Sequence, residues 1–325
     1  MKQYSTYQIV NENRQSVFKF FPKSYLPSKY PITTPFTFPF IGEDVVLCLD
    51  KNNQWNPLGG HMEDGEDYID TIIRESKEEV GVIVSKPTIE VVGYILNKNL
   101  KNPELSEYPA QGILPITTSF VKNTILNWIP METKRRGIFR RHRALELMRQ
   151  RDDNQQMFEI LEYVYKKFDK HDYQTSFTYF PNKISSDLPV TQVFTFCKDE
   201  RGLFCAVRDS DEAFFSLPGG SCELGETPVD CVHRELDEEA QLKCENISLL
   251  GSILVELTDN GKTVSRFQHL RYLADVSAQN EFVPGKNGFE TVERKFINLS
   301  DLKSQVMILQ NLNGERIISQ LTGLL

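Results

Sequence analysis

The chain has no run of 18 continuous apolar residues, and its amino terminus, MKQYSTYQIVNEN, lacks the apolar core of a secretory signal. Neither a membrane span nor export is expected, so the expected location is cytoplasmic. The six cysteines (Cys48, Cys197, Cys205, Cys222, Cys231, Cys244) include no Cys-x-x-Cys pair. Cys48 and Cys205 lie inside apolar strand-like runs, and the set reads as small buried hydrophobes rather than as zinc ligands. Excess positive charge is missing too: 37 Lys and Arg stand against 45 Asp and Glu, a formal net charge of -8. That balance argues against a general binder of nucleic acid or of acidic membranes. With no long biased tract, the 325 residues suit two folded domains, each large enough to bury its own core.

What the chain does contain is an internal repeat. QSVFKFFP at 15–22 matches QTSFTYFP at 174–181, and FTF at 36–38 matches FTF at 194–196. Apolar strands VVLCL (45–49) and LFCAV (203–207) follow, then WNPLGG (55–60) against FSLPGG (215–220). Further on, METKRRGIF (131–139) parallels ETVERKF (290–296), and MFEILEYVY (157–165) parallels IISQLTGLL (317–325). Met157, Ile160, Leu161, Val164 and Phe168 form the apolar stripe of an amphipathic helix that closes the first copy. The polar stretch DKHDYQTS (169–176) then places the boundary near residue 170, giving domains 1–170 and 171–325.

Each copy has one helix crowded with carboxylates, RESKEEVG (74–81) and RELDEEAQ (234–241). Thr227, Pro228 and Asp230 read as an N-cap, a first-turn proline and an acid at the positive helix end; Asp67 and Asp70 are their counterparts. At about 100° per residue, Arg74, Glu75, Glu78 and Glu79 share one arc. Ile69, Ile72, Ile73, Ser76 and Val80 share the opposite one, matched in the second copy by Val229, Val232, His233, Leu236 and Ala240. A lone Glu-Glu pair is most often a solvated helix face. Repeated like charges on adjacent turns instead raise one another's pKa, a penalty that a divalent cation reverses, and oxygen-only ligands favour Mg²⁺ or Mn²⁺ over zinc.

The pattern G-x5-E-x7-R-E-U-x-E-E-x-G-U, with U aliphatic, occurs twice, as GHMEDGEDYIDTIIRESKEEVGV (60–82) and GSCELGETPVDCVHRELDEEAQL (220–242). In this the chain resembles a tandem Nudix hydrolase. Ser76 departs at an aliphatic position, and Gln241 replaces the glycine that gives a positive-φ turn at a helix end. Pro57-Leu58-Gly59-Gly60 also departs from the direct Pro-Gly-Gly of Pro218-Gly219-Gly220.

The resemblance implies an α/β (α+β) protein with two Nudix folds in tandem, each a mixed β-sheet sandwiched between α-helices, forming something like an internal dimer. It implies hydrolysis of a diphosphate in a small-molecule nucleotide-type substrate. Glu75, Glu78, Glu79 and the Gly60 carbonyl would hold Mg²⁺ (or Mn²⁺), as would Glu235, Glu238, Glu239 and Gly220. Arg74 and Arg234 would grip the first glutamate of each set bidentately, and Glu66 and Glu226 would support them from behind. Glu75 and Glu235 are the expected general bases, with Glu281 a loop alternative. Trp55 and Phe215 either border a base pocket or belong to the core; His61 either approaches phosphates or has no such duty. His233 reads as structural, and KRRGIFRRHR (134–143) as a solvated helix face rather than a contact for phosphates, RNA or a partner. Two other readings stay open: a nucleotide-binding sensor or scaffold with little turnover, and a chain with one catalytic and one regulatory half.

Overall fold

The computed structural model describes residues 4–10, 15–100, 109–125, 128–129, 133–151, 154–210, 212–222, 226–285 and 291–324. Residues 131–132 of the repeat and 223–225 of the second box lie outside them. The chain divides into two compact units, Met1–Gln174 with Leu257–Ser265, and Thr175–Glu256 with Arg266–Leu325.

The first unit runs β1 (Thr6–Val10), β2 (Gln15–Phe21), β3 (Phe36–Ile41), β4 (Asp44–Leu49), β5 (Trp55–Asn56), β6 (Leu58–Gly59), α1 (Tyr68–Val80), β7 (Val82–Val84), β8 (Glu90–Asn99), β9 (Gln111–Thr124), β10 (Arg135–Phe139), α2 (Arg141–Arg149) and α3 (Asn154–Phe168). Its sheet has the order β1-β2-β8-β9-β3-β4-β10, with β5, β6 and β7 paired to β4, β3 and β9. The second repeat runs β11 (Tyr173–Pro181), β12 (Val190–Lys198), β13 (Phe204–Asp209), β14 (Gly219–Ser221), α4 (Pro228–Ala240), β15 (Leu242–Asp259), β16 (Lys262–Gln279), β17 (Thr291–Ile297), α5 (Leu299–Gln305) and α6 (Leu312–Leu324), of which the first two residues of β11 and the adjoining ends of β15 and β16 are counted with the first unit. Its order, β11-β15-β16-β12-β13-β17 with β14 on β12, repeats the path β2-β8-β9-β3-β4-β10. In each sheet one pair in the middle is parallel, β3 with β9 and β12 with β16.

The two-residue side-chain period of a strand puts a helix on each face. In β4, Val45 and Leu47 pack with Ile160, Leu161 and Val164 of α3. Cys48, one residue on, faces α1, where its thiol lies 3.8 Å from Glu79 Oε1. In β13, Cys205 and Val207 pack with Val232, Leu236 and Ala240 of α4, while Phe204 and Ala206, which alternate with them, are buried as well. The α3 stripe behaves as its spacing predicts, except that Tyr165 is buried and Phe168 only packs against the cluster. Each such buried side chain contributes on the order of 1.5–3 kcal/mol. Among the described residues, no helix is long and apolar enough to cross a membrane.

Candidate active site

The two carboxylate helices begin and end as their sequences predict. Asp67 caps α1 by accepting from Ile69 N and Asp70 N, and α1 stops at Gly81 with φ 62°. Thr227 and Asp230 form a reciprocal capping box on α4 behind Pro228. Gln241, at φ 53°, adopts the left-handed turn without being glycine. Its side chain offsets that cost: Nε2 donates to Val283 O at 2.9 Å, and Val283 N donates to Oε1 at 3.1 Å. In the first unit the same corner is filled differently. A Cβ on Gly81 would fall 2.4 Å from the Trp128 ring, whose Nε1 donates to Glu78 O at 2.9 Å.

Along α1 the buried residues are Thr71, Ile72, Glu75, Ser76 and Val80, and along α4 they are Cys231, Val232, Glu235, Leu236 and Ala240. Ile69 and Ile73 are only half-buried, while His233 and Val229 are exposed. The expectation of a core His233 is thus corrected: the inward stripe is rotated toward Cys231, and His233 Nδ1 sits at the helix flank, 3.5 Å from Cys244 Sγ. Ser76 does lie in the core, and its hydroxyl is among the buried polar atoms without a hydrogen-bond partner.

One arginine organises each carboxylate set. Arg74 donates from Nε and Nη2 to Glu66 at 2.8 and 3.1 Å, from Nη1 to Glu75 at 2.9 Å and to Glu78 at 3.1 Å, and from Nη2 to His61 O at 2.9 Å. Arg234 meets Glu226 at 2.8 and 3.1 Å, Glu235 at 2.8 Å, Glu238 at 2.9 Å and Ser221 O at 2.9 Å. The bidentate partner is therefore Glu66 or Glu226, not the first helical glutamate. The Nε edge of the fork faces the loop carboxylate, and only Nη1 reaches back along the helix to the next residue and the next turn. These bonds hold the Glu66 carboxyl down to about 2. Burial pushes Glu235 up to about 7 against the pull of Arg234, and Glu239 up to about 8 against its bond from Gly219.

The glycine pair locks the other carboxylates. Gly59 N donates to Glu79 Oε2, and Gly219 N to Glu239 Oε2, both at 2.9 Å. Gly59 and Gly219 have φ of 153° and 156°, and a Cβ on either would fall 2.1 Å from a backbone oxygen, that of Pro35 or Val193. A Cβ on Gly60 would fall 2.0 Å from Glu75 Oε1, and on Gly220 2.4 Å from Glu235 Oε1. The bare backbone of the second glycine thus admits the first glutamate. With Leu58 where the second unit has Pro218, Gly59 N keeps the same bond to its glutamate that Gly219 N makes.

The weaker candidates fall elsewhere. Trp55 packs edge-on to Phe139 at 4.6 Å beside the α3 cluster, and Arg135 lies 5.6 Å over its ring. Phe215 lies under Lys295 at 3.7 Å. His61 gives Arg74 its carbonyl. Glu281 is exposed, and among the described residues no hydrogen bond or ion pair joins it to the carboxylates. The basic run 134–143 is not a helix face: it is mostly strand β10 turning into α2. Arg136 within it donates to Val80 O at 2.9 Å, and Arg294 on β17 donates to Ala240 O at 2.6 Å, so each secures the end of a carboxylate helix. Thr133 adds a bond to Glu79 O. Sequence reasoning missed Trp128, Thr133, Arg136 and Arg294; the parallel between 131–139 and 290–296 was the signal for the two arginines.

Comparison with known families agrees with this geometry. The NUDIX domain family matches residues 38–109 and 188–317, more than half the chain. The chain belongs to the NUDIX family. Its solved NUDIX-fold neighbours include a mutant of the Bacillus subtilis pyrophosphohydrolase BsRppH, with 18% identity over 46% of this chain and 91% of that one and a TM-score of 0.37. A second is a MutT from a study of Aliivibrio salmonicida and Vibrio cholerae, with 15% identity, 41% and 98% coverage and a TM-score of 0.30. A third is an ADP-ribose pyrophosphatase from Streptococcus suis, with 15% identity, 42% and 92% coverage and a TM-score of 0.30. A comparison with curated proteins gives no match.

Proposed function

We propose that both NUDIX units hydrolyse a diphosphate linkage in nucleotides or nucleoside diphosphate derivatives, using Mg²⁺ or Mn²⁺, in the cytoplasm. The observation that carries this is the repeated clamp: in both units one arginine joins three carboxylates while a glycine N–H fixes the fourth. A decorative acidic face has no reason to be built twice with the same partners.

The donor set fits a hard dication. It is made of oxygens alone, and Glu235 and Glu239 carry an electrostatic cost of burial that a dication reverses. Glu75, Glu78, Glu79 and the Gly60 carbonyl would hold the ion in one unit, and Glu235, Glu238, Glu239 and the Gly220 carbonyl in the other. When bound, it supplies neutralisation of the diphosphate charge and a lowered pKa for a water. Arg74 and Arg234 keep the carboxylates aimed, and Gly59 and Gly219 keep Glu79 and Glu239 from swinging away. Glu75 and Glu235 are assigned the proton of the attacking water, whose oxygen bonds to phosphorus as the bridging P–O bond breaks.

The test is release of product from a panel of nucleotides, dinucleotides, nucleotide sugars and ADP-ribose with Mg²⁺, on the unaltered chain, Glu79→Gln and Glu239→Gln. Each variant should lose about half of the turnover, and the double variant nearly all. Tight binding of one compound without turnover would replace this reading with that of a sensor. Complete loss in one single variant would assign the chemistry to that unit.

A further inference from the structure

The second unit carries a donor set that the first lacks. Cys222 follows β14 directly and Cys231 lies in the first turn of α4. Their thiols and a Glu226 carboxylate oxygen all lie within 4.8 Å of one another. The positions 160 residues earlier are Met62 and Thr71, and there the Thr71 hydroxyl simply donates to Glu66 Oε2 at 2.7 Å. The fold therefore does not require thiols here. None of the six cysteines is in a disulfide, and five are buried as expected; the reading is corrected for Cys222, which is only half-buried and meets the buried Cys231 beside a carboxylate.

The chemistry of the three donors is specific. Metal–sulfur bonds of about 2.3 Å and metal–oxygen bonds of about 2.0–2.2 Å in a tetrahedron place ligand atoms roughly 3.5–3.8 Å apart. A set already within 4.8 Å closes on an ion by small rotamer changes. Glu226 accepts from Arg234 through both oxygens, and because a carboxylate oxygen can accept more than one partner, these bonds do not bar an ion. Two thiolates and Glu226 beside Arg234 leave two net negative charges for a dication. The Cys231 Sγ accepts from Arg234 Nη2 at 3.5 Å and lies 3.9 Å from Gly220 O. The half-buried Cys222 provides the way in, and soft sulfur donors select against magnesium.

We propose that Cys222, Glu226 and Cys231 form a binding site for a thiophilic divalent cation of the zinc class, with solvent in the fourth position. It goes beyond the hydrolase reading and differs in donor type from the oxygen-only set of Glu235, Glu238 and Glu239.

The experiment is a Co²⁺ titration of the reduced full-length chain in excess Mg²⁺. The expected result is one equivalent with a thiolate-to-cobalt charge-transfer band and strong tetrahedral d–d absorption, both removed by Zn²⁺. Cys222→Ser and Cys231→Ser should each abolish the charge-transfer band, with circular dichroism and the unfolding midpoint recorded alongside. Since Cys231 is buried, the half-buried Cys222 carries the test should Cys231→Ser misfold. Glu239→Gln should keep the band, so failure of the hydrolase reading and failure of this site are told apart. A reduced chain without the band, or a band that survives in Cys222→Ser, overturns the proposal.

Discussion

Gly60→Ala adds one methyl group to the tightest contact in the first unit. The added Cβ would sit 2.0 Å from Glu75 Oε1, 2.5 Å from its Cδ and 3.0 Å from its Oε2. Ordinary contact begins near 3.4 Å, so the carboxylate must retreat by more than an ångström. It cannot do so and keep its 2.9 Å bond to Arg74. The backbone, by contrast, accepts the change, because Gly60 is outside the left-handed φ region. An alanine there restricts the unfolded chain, a gain of about 0.4–1 kcal/mol that offsets part of the displacement. The expected outcome is a nearly unchanged unfolding midpoint and a large loss of function. A misplacement of about 1 Å in a positioned group costs on the order of a hundredfold in rate.

The assay places Gly60→Ala in a Glu239→Gln background, so that only the first unit turns over, and reads both product release with Mg²⁺ and Mn²⁺ affinity by electron paramagnetic resonance. Gly59→Ala serves as the contrasting control. Its φ of 153° and a Pro35 oxygen at 2.1 Å make that substitution a backbone problem, expected to cost about 1–3 kcal/mol of stability. Folded Gly60→Ala that turns over at the parental rate with parental Mn²⁺ affinity would refute the placement of Glu75 as a group that must occupy that spot. The parallel Gly220→Ala, with its closest contact at 2.4 Å, should show the smaller defect.

Three further outcomes are expected. Ser76→Ala removes a buried hydroxyl without a partner and should raise the urea midpoint of the first unit by the equivalent of about 1 kcal/mol; a lower midpoint would mean that the hydroxyl is bonded. Gln241→Ala loses both bonds to Val283 and should cost about 1–2 kcal/mol, with Gln241→Gly falling between it and the parent, because glycine relieves the φ of 53°; equal stability of all three would show that the clamp contributes nothing. The last concerns pH in chelator. Burial holds Glu235 up to about 7 and Glu239 up to about 8, both above the unfolded value of 4.5, so between those values the native state binds more protons than the unfolded one. Stability must then fall as pH rises through that window and level off above about 8, and Glu239→Gln should flatten the fall. Urea midpoints at three pH values check this, and a rising profile would contradict the burial of these groups.

The parts of the site that were legible in the sequence are those set by neighbours along one helix. Arg74, Glu75, Glu78 and Glu79 share a face by helical geometry alone, and Asp67 and Thr227 announce the helix starts through bonds to residues two or three positions on. Strand order was not legible. The parallel pairs β3–β9 and β12–β16 join segments far apart in the chain, and an apolar run carries no label for its partner. Arg136 and Arg294 escaped for the same reason: each closes a helix end more than fifty residues away, and a basic residue on a strand looks like any surface charge until the sheet is assembled.

His233 shows a different limit. The angular arithmetic gave the face to within one residue, and which of Cys231 and His233 turns inward was decided by packing against Val193, Cys205 and Leu236. A small thiol fits there and an imidazole does not need to. That same choice brings Cys231 next to Cys222 and Glu226. Nine positions separate the two cysteines, a spacing that matches no metal motif, because only one of them lies on the helix and the other follows β14. Cys231, which the angular reading left off the inward face, is therefore the residue whose chemistry sets the second unit apart from the first.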